Sequence, residues 1–286
     1  MRRLTADHFV NELDRRHPAA YTIEDGETVL VETADCHGGF VGREGALRPG
    51  GPRPNPATGP IAVKGATPGE ALAVAIRQVK PAEWGFIGGG AQGEPFTVVD
   101  IKDGVATYPW GLRLPVNPII GVIGLAPPGE PVPTNTPSDW GGNLDTVDIC
   151  AGATIYLPVA VPGGMLALGD VHALQGDSEC CGTGIECAAE VTLTVRREPY
   201  PIWHRTYLVH DDRLMVFAHA DTVDDAAWGA VDQMVQLLTK ITPRTEVEAR
   251  RLLSTAGEVR ISQIVNPRKT CRAIIPRQAI PEQWPF

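Results

Sequence analysis

The chain has 286 residues, 43% of them hydrophobic and 21% charged, which is enough to build a sizeable core and too apolar for intrinsic disorder. Its 25 Lys and Arg against 34 Asp and Glu leave a net charge of −9, so it lacks the basic excess expected of a nucleic-acid binder. Gly (31) and Pro (26) make up about a fifth of the chain, without collagen period or low complexity, and predict many turns between short strands.

In chain order, the N-terminal stretch carries recurring charges and has no apolar run of signal-peptide length. Asp25-Gly26 marks a turn ahead of a strand over 28–33. Alternation predicts strands over 70–79 and around Val191, Leu193 and Val195. Gly88-Gly89-Gly90 is no phosphate-loop pattern and reads as a flexible loop. Asp103-Gly104 joins 96–101 to 105–108 as a hairpin. The longest uncharged run, 149–169, holds Pro158, Pro162 and four glycines, so sheet and turn are expected there rather than a membrane span.

Near Asp221 the period changes. Ala227, Val231, Met234, Leu238 and Ile241 follow helical spacing behind a Thr222 N-cap. Thr242-Pro243 is expected to start a second helix, with Ala249, Leu252, Leu253 and Ala256 as its apolar face and Gly257 as its C-cap. Val259 and Ile261, then Cys271, Ala273 and Ile275, alternate as strands. The expected fold is mainly β: a β-sandwich or barrel-like body of short strands with a small C-terminal α+β unit. Its division is a β-rich catalytic body over 1–220 and an α+β unit over 221–286 packed on it.

The charge deficit is local. Residues 114–195 contain no Lys or Arg but carry Glu130, Asp139, Asp145, Asp148, Asp170, Asp177, Glu179, Glu186 and Glu190, which account for the whole of it. In an extended segment Asp170 and His172 would share a face, as metal ligands or an orienter and base would. Asp177 and Glu179 repeat the spacing after Gly176. Asp145 follows Gly-Gly-Asn, where backbone can approach closely, and Asp35 and His37 form another Asp-x-His pair. Carboxylates buried together need an offset: a divalent metal, arginines from elsewhere in the chain, or protonation. Mixed carboxylate and imidazole ligands suit zinc, or manganese and iron in wetter sites; carboxylates alone suit calcium. The ordinary role of such pairs is a turn or a satisfied hydrogen bond.

The six cysteines (Cys36, Cys150, Cys180, Cys181, Cys187, Cys271) contain no CxxC pair and, without a signal sequence, are expected as reduced thiols in a cytoplasmic protein. Cys181, among Glu179 and Glu186, is a conceivable nucleophile. Neighbouring acids disfavour its thiolate, and Cys180, Cys181 and Cys187 read first as small buried filler.

Four blocks resemble the acetamidase/formamidase family of small-amide hydrolases: ETADCHGG (32–39), NPATGPIAVKGATPGEALAV (55–74), GGNLDTVDICAGATIYLPVAVPGGMLALGDVHALQGDSECCGTGIE (141–186) and ISQIVNPRKTCRAIIP (261–276). They keep the family's order and spread over nearly the whole chain. The third block is the specific one, with Asp145, Asp170, His172, Gln175, Asp177, Glu179, Cys181 and Glu186 at the family's polar positions. Cys180 replaces a more usual aliphatic residue, Gly184 a common alanine, and His37 is not typical of the family; these departures bear on substrate size. The resemblance implies hydrolysis of a small linear amide such as formamide or acetamide to a carboxylic acid and ammonia. It also implies a mainly β fold and dependence on metal. The metal ligands expected are Asp145, Asp170 and His172, joined by Asp35, holding one or two divalent ions, zinc first and calcium second. Glu179 or Glu186 is the proton carrier. Rival readings are a Cys181 nucleophile and a non-catalytic β-rich module that binds calcium or a small polar ligand. The other partner expected is a second copy of the chain, as a homodimer or higher oligomer, with no nucleic acid and no membrane.

Overall fold

The structure is a computed structural model and describes residues 1–88, 94–281 and 284–286. Two large sheets share one core. The nine-stranded sheet runs Arg2–Leu4, Thr28–Thr33, Ala189–Glu198, Ala71–Pro81, Thr154–Pro158, Tyr207–His210, Arg213–Ala220, Lys269–Pro276 and Glu258–Gln263. Val29 and Val31, Leu72, Val74 and Ile76, and Val191, Leu193 and Val195 are at most 1% exposed, so the period-two alternation turns one face inward on three adjacent strands. The second sheet, of twelve strands, holds Ile119–Gly124 paired antiparallel to Leu166–His172, which in turn pairs with Glu186–Cys187 and Ala57–Val63. Every residue of Ile119–Gly124 and Leu166–His172 is buried; the first is apolar throughout because both its faces are covered, whereas the second ends on the buried polar residues Asp170 and His172.

The Asp-Gly turn at 103–104 joins Thr97–Lys102 to Val105–Thr107, with both residues at positive φ (51° and 75°) as a two-residue hairpin turn requires. Of the expected glycine loop, Gly89 and Gly90 lie outside the described residues. The run 149–169 is strand and turn, and among the described residues no helix is long and apolar enough to cross a membrane.

Helix α1, Val223–Ile241, is capped by Thr222, whose Oγ1 accepts from the Asp225 N–H. Ala226, Ala230, Met234, Leu237 and Leu238 are its buried face. Ala227, Val231 and Ile241 sit at the edge of that face, half-buried. Residues 242–243 start no helix, contrary to expectation. Thr242 closes α1, and α2, Glu246–Ala256, begins after Thr245. The reason is a reciprocal cap: Thr245 Oγ1 accepts from the Glu248 N–H, and the Glu248 carboxylate accepts from the Thr245 N–H at 2.8 Å. That box satisfies two orphaned donors where Pro243 would merely remove one. Gly257 is the C-cap of α2, as expected.

The strands after α2 are not separate from the β body; they complete the nine-stranded sheet. They carry Arg272, fully buried, to the edge of the acidic region. Its Nε donates to Asp148 Oδ2 (2.8 Å), one terminal nitrogen to both oxygens of Asp177 (2.9 and 3.1 Å), and the other to the Ile261 carbonyl and Ser262 Oγ. Arg272→Met strands the buried Asp148 carboxylate with Arg213, 3.6 Å away, as its remaining arginine. Loss of a partner from such a buried pair costs about 3–5 kcal/mol; urea unfolding should show a destabilisation of that order, and a change below about 1 kcal/mol would mean that the pairing is not structural.

Candidate active site

Four carboxylates and one imidazole converge between the second sheet and the loops that cover it. Asp170 and His172 come from Leu166–His172, and Glu186 from the short strand paired to it, with Glu186 directly opposite His172. Asp145 follows the strand Gly141–Asn143, and Glu179 lies in the loop after His172. All five are at most 7% exposed. Asp145, Asp170, Glu179 and the neighbouring Asn55 have left-handed backbones (φ 40°, 54°, 50° and 59°). For non-glycine residues that region is sparsely populated, and Asn and Asp tolerate it best. Asp170 departs from regular strand dihedrals, yet its strand keeps one register with Ile119–Gly124 on either side of it. Gly121 in the facing strand makes room: a Cβ there would stand 2.6 Å from both Asp145 Oδ1 and the Asp170 carbonyl.

The hydrogen bonds fix the imidazole tautomer. Gln175 Nε2 donates to the Asp145 carbonyl (2.8 Å), so its Oε1 faces His172 Nδ1 at 2.6 Å, and Nδ1 must carry the proton. His172 Nε2 then faces Glu186 Oε1 (3.1 Å) and Asp170 Oδ1 (3.7 Å), donating to them when the ring is charged and offering a lone pair when it is neutral. Asn55 donates to Asp170 Oδ2 (2.6 Å), Asn266 to Asp145 Oδ2, and the Gly184 N–H to Glu186 Oε1 (3.1 Å). Asp145 Oδ1, Asp170 Oδ1, Glu186 Oε2 and His172 Nε2 remain buried with no partner. With the ring neutral and the carboxyls ionised, these are acceptors facing acceptors. Asp145, Asp170 and His172 could hold one divalent cation between them, and a donor set of carboxylates and one imidazole suits zinc.

Charge elsewhere in the acidic span is handled by arginine and lysine. Asp139 pairs with Arg205 (3.0 Å), Asp148 and Asp177 with Arg272, and Glu190 with Arg3 (2.6 Å) and Lys80 (3.2 Å). Among the described residues no lysine or arginine forms an ion pair with Asp145, Asp170, Glu179 or Glu186. Burial and the Asp170 charge raise Asp145 to about 6. Burial raises Glu186 to about 7, with Asp170 adding to it, and burial plus the Asp145 charge raises Glu179 to about 10. His172 is raised well above its ordinary value: burial opposes its charge, but Glu186 and Asp170 favour it more.

The site opens into a cavity of about 270 Å³ lined by Asp170, Glu179, Glu186, Asn55, Asn266 and His37, among others. His37 stacks on Phe86 (ring centroids 5.9 Å) and meets Phe96 edge-on (5.2 Å), and burial lowers its pKa, which favours a neutral imidazole.

Asp145, Asp170 and His172 each offer a ligand atom within 4.8 Å of the others, as do His172, Glu179 and Glu186. Asp35 joins none of these groups; its Oδ1 accepts from the N–H groups of His37 and Gly39 and shapes the turn that presents Cys36. Asp177 and Glu179 do not share a face, because Ser178 and Glu179 are both left-handed (φ 84° and 50°); one meets Arg272 and the other the cavity. Cys180 and Cys181 are exposed rather than buried filler, since both lie in a solvent-facing turn; Cys187 is buried as expected. Cys181 lies outside the cavity lining, its Sγ 3.5 Å from the Thr183 carbonyl. Sequence reasoning passed over Asn55 and Asn266, whose common signal is an Asn-Pro pair, and Cys36, which had no spacing signal at all.

A sequence model described as the Acetamidase/Formamidase family matches residues 3–130 and 128–198. The structure is similar to an acetamidase of Bacillus halodurans (38% identical, covering 99% of each chain, TM-score 0.91). It is also similar to a predicted acetamidase/formamidase of Thermoanaerobacter tengcongensis (36% identical, 98% of this chain and 97% of that one, TM-score 0.93). A formamidase-like protein of Schizosaccharomyces pombe is 28% identical over 62% of this chain; the chain spans 60% of that curated relative's length.

Two outcomes follow from this geometry. Gly121→Ala forces backbone and a carboxylate apart, an overpacking that costs about 1–3 kcal/mol; thermal melting should show it, and unchanged stability would mean the carboxylates are free to move. The raised groups also set a pH dependence. A folded carboxyl or imidazole with a raised pKa holds a proton that the unfolded chain has released, so stability falls as pH rises through the folded value. Chelator-treated protein should therefore lose stability from about pH 5 upwards, the Glu186 contribution ending near 7 and that of Glu179 continuing towards 10. Urea midpoints that stay level or rise over that window would contradict the assignment.

Proposed function

The chain belongs to the acetamidase/formamidase family, and from that premise we propose that it hydrolyses a small linear amide to a carboxylic acid and ammonia. The observation that supports this reading is the buried ring of unpartnered acceptors, Asp145 Oδ1, Asp170 Oδ1, Glu186 Oε2 and His172 Nε2, at the foot of a small cavity. A divalent ion, zinc by its suitability to these ligands, would be held by Asp145, Asp170 and His172, and would supply Lewis acidity to a water or an amide carbonyl.

The chain's own groups then have distinct tasks. Gln175 keeps the His172 proton on Nδ1 and leaves Nε2 as a ligand. Asn55 and Asn266 each occupy one oxygen of Asp170 and Asp145, which leaves the other oxygen turned inward. Glu186, with its pKa near 7, can take a proton from the attacking water at neutral pH. Glu179 holds its proton and faces the cavity, where it can protonate the leaving nitrogen, which is too basic to depart as an amide anion. A volume of about 270 Å³ lies below the usual range for drug-sized ligands and suits a substrate as small as formamide or acetamide.

Ammonia release should appear with short aliphatic amides and disappear after metal removal, with zinc restoring it. Metal-free protein that remains fully active would sink the metal reading. No release from any short amide, with tight calcium binding, would favour a binding module. Glu179→Gln should lower kcat by about two to four orders of magnitude, whereas Cys181→Ala should retain most activity; the opposite pattern would assign the nucleophile to the thiol.

A further inference from the structure

Cys36 is a buried thiol that the proposed chemistry leaves without a task. It is 7% exposed, lines the cavity, and packs with Val41, Phe86 and Phe96. Its Sγ, one oxygen of Asp170 and one oxygen of Glu186 all lie within 4.8 Å of one another. Donor atoms bound to one tetrahedral zinc-sized ion at about 2.0–2.3 Å stand roughly 3.3–3.8 Å apart, so side-chain movements of about an ångström close this group around a cation. Two of its members carry an oxygen without a partner: Asp170 Oδ1 and Glu186 Oε2 are buried and unpaired, on side chains only 3% exposed.

We propose that Cys36, Asp170 and Glu186 form a second, sulfur-containing cation position beside the Asp145–Asp170–His172 position, with Asp170 shared between the two. The inference rests on the metal reading of the proposed function and adds to it both the thiolate ligand and the second ion; with that ion bound Glu186 serves as a ligand, and the proton transfers fall to Glu179.

Local structure presents Cys36 for this role. Asp35 Oδ1 gathers the N–H groups of His37 and Gly39 into a turn (2.9 and 3.1 Å), and the Cys36 carbonyl accepts from the Asn55 N–H (2.8 Å). Asn55 in turn holds Asp170, so the thiol and the shared carboxylate are tied to the same residue. The charges also match. One divalent ion balances two of the three carboxylates Asp145, Asp170 and Glu186; the third, with a Cys36 thiolate, balances a second ion. On binding, the S–H bond breaks, the sulfur keeps the electron pair that forms the sulfur–metal bond, and the proton leaves to solvent. A thiolate ligand makes this position selective for zinc, cobalt or cadmium over calcium and magnesium.

Cobalt(II) reports each position separately. Chelator-treated protein, handled without oxygen and loaded with cobalt, should bind two ions per chain and show sulfur-to-cobalt charge-transfer absorption in the near ultraviolet. Cys36→Ser should bind one, lose that absorption and keep the visible cobalt bands of the carboxylate–imidazole position. Cys181→Ser should keep everything, which excludes the exposed thiol as the source. Absence of the near-ultraviolet band from the wild-type protein, or its survival in Cys36→Ser, overturns the proposal while leaving the first position intact. Failure to bind cobalt at all overturns both. The wild-type spectrum is decisive without a variant, so a poorly folded Cys36→Ser protein does not protect the idea.

Discussion

A set of buried acceptors that face one another without a donor is the constraint around which this molecule is arranged. Asp145, Asp170, Glu179 and Glu186 surround a single imidazole, and among the described residues no arginine or lysine pairs with any of them. Charges so placed are expensive in the absence of compensation. The raised pKa values of Asp145, Glu186 and Glu179 are the response of a chain that must offset the charge with protons. A bound cation would offset the same charge in another way, in competition with protons for the same oxygen atoms.

The surrounding structure separates this set from the other acids of the same span. Arg272 reaches in from the strand Lys269–Pro276 and takes up Asp148 and Asp177, while Arg205, Arg3 and Lys80 take up Asp139 and Glu190. Each of these cations comes from outside the basic-free stretch. Asp177 and Glu179, only two residues apart, are thereby divided between a structural ion pair and the cavity. The same division explains the left-handed residues at 178 and 179: the loop must turn one carboxylate to the arginine and the next into the site. Such backbone conformations cost on the order of 1–3 kcal/mol each, and here they include three of the four carboxylates at the cavity, Asp145, Asp170 and Glu179. Across the sheet, Gly121 leaves the space that two carboxylates occupy.

The two asparagines and Gln175 convert a crowd of acids into an ordered donor set. Each asparagine donates to a carboxylate oxygen, so that one oxygen of Asp145 and one of Asp170 point inward, and Gln175, anchored on the Asp145 backbone carbonyl, leaves the imidazole a single defined nitrogen. Similar second-layer contacts govern ligand orientation in metal sites generally. The turn built by Asp35 belongs to this layer too.

The sequence by itself determined what depends on local spacing and composition. The apolar alternation of Val29 and Val31, or Leu72, Val74 and Ile76, needs only the two-residue period of a strand, and the Asp-Gly turn and the Thr222 cap need only their immediate neighbours. The clustering of nine acids without a base was likewise plain, as were Asp145, Asp170, His172, Glu179 and Glu186 through the family's motif. Tertiary structure alone decided which acids are neutralised, because Arg272 lies 124 residues from Asp148 and 95 from Asp177. It also decided that Asn55, Asn266 and Cys36 stand at the site, since loops distant in sequence bring them there and no periodicity records that meeting. Asp35 shows the limit of spacing most clearly: two residues from a histidine it resembled a ligand, but the backbone folded its oxygen onto its own turn.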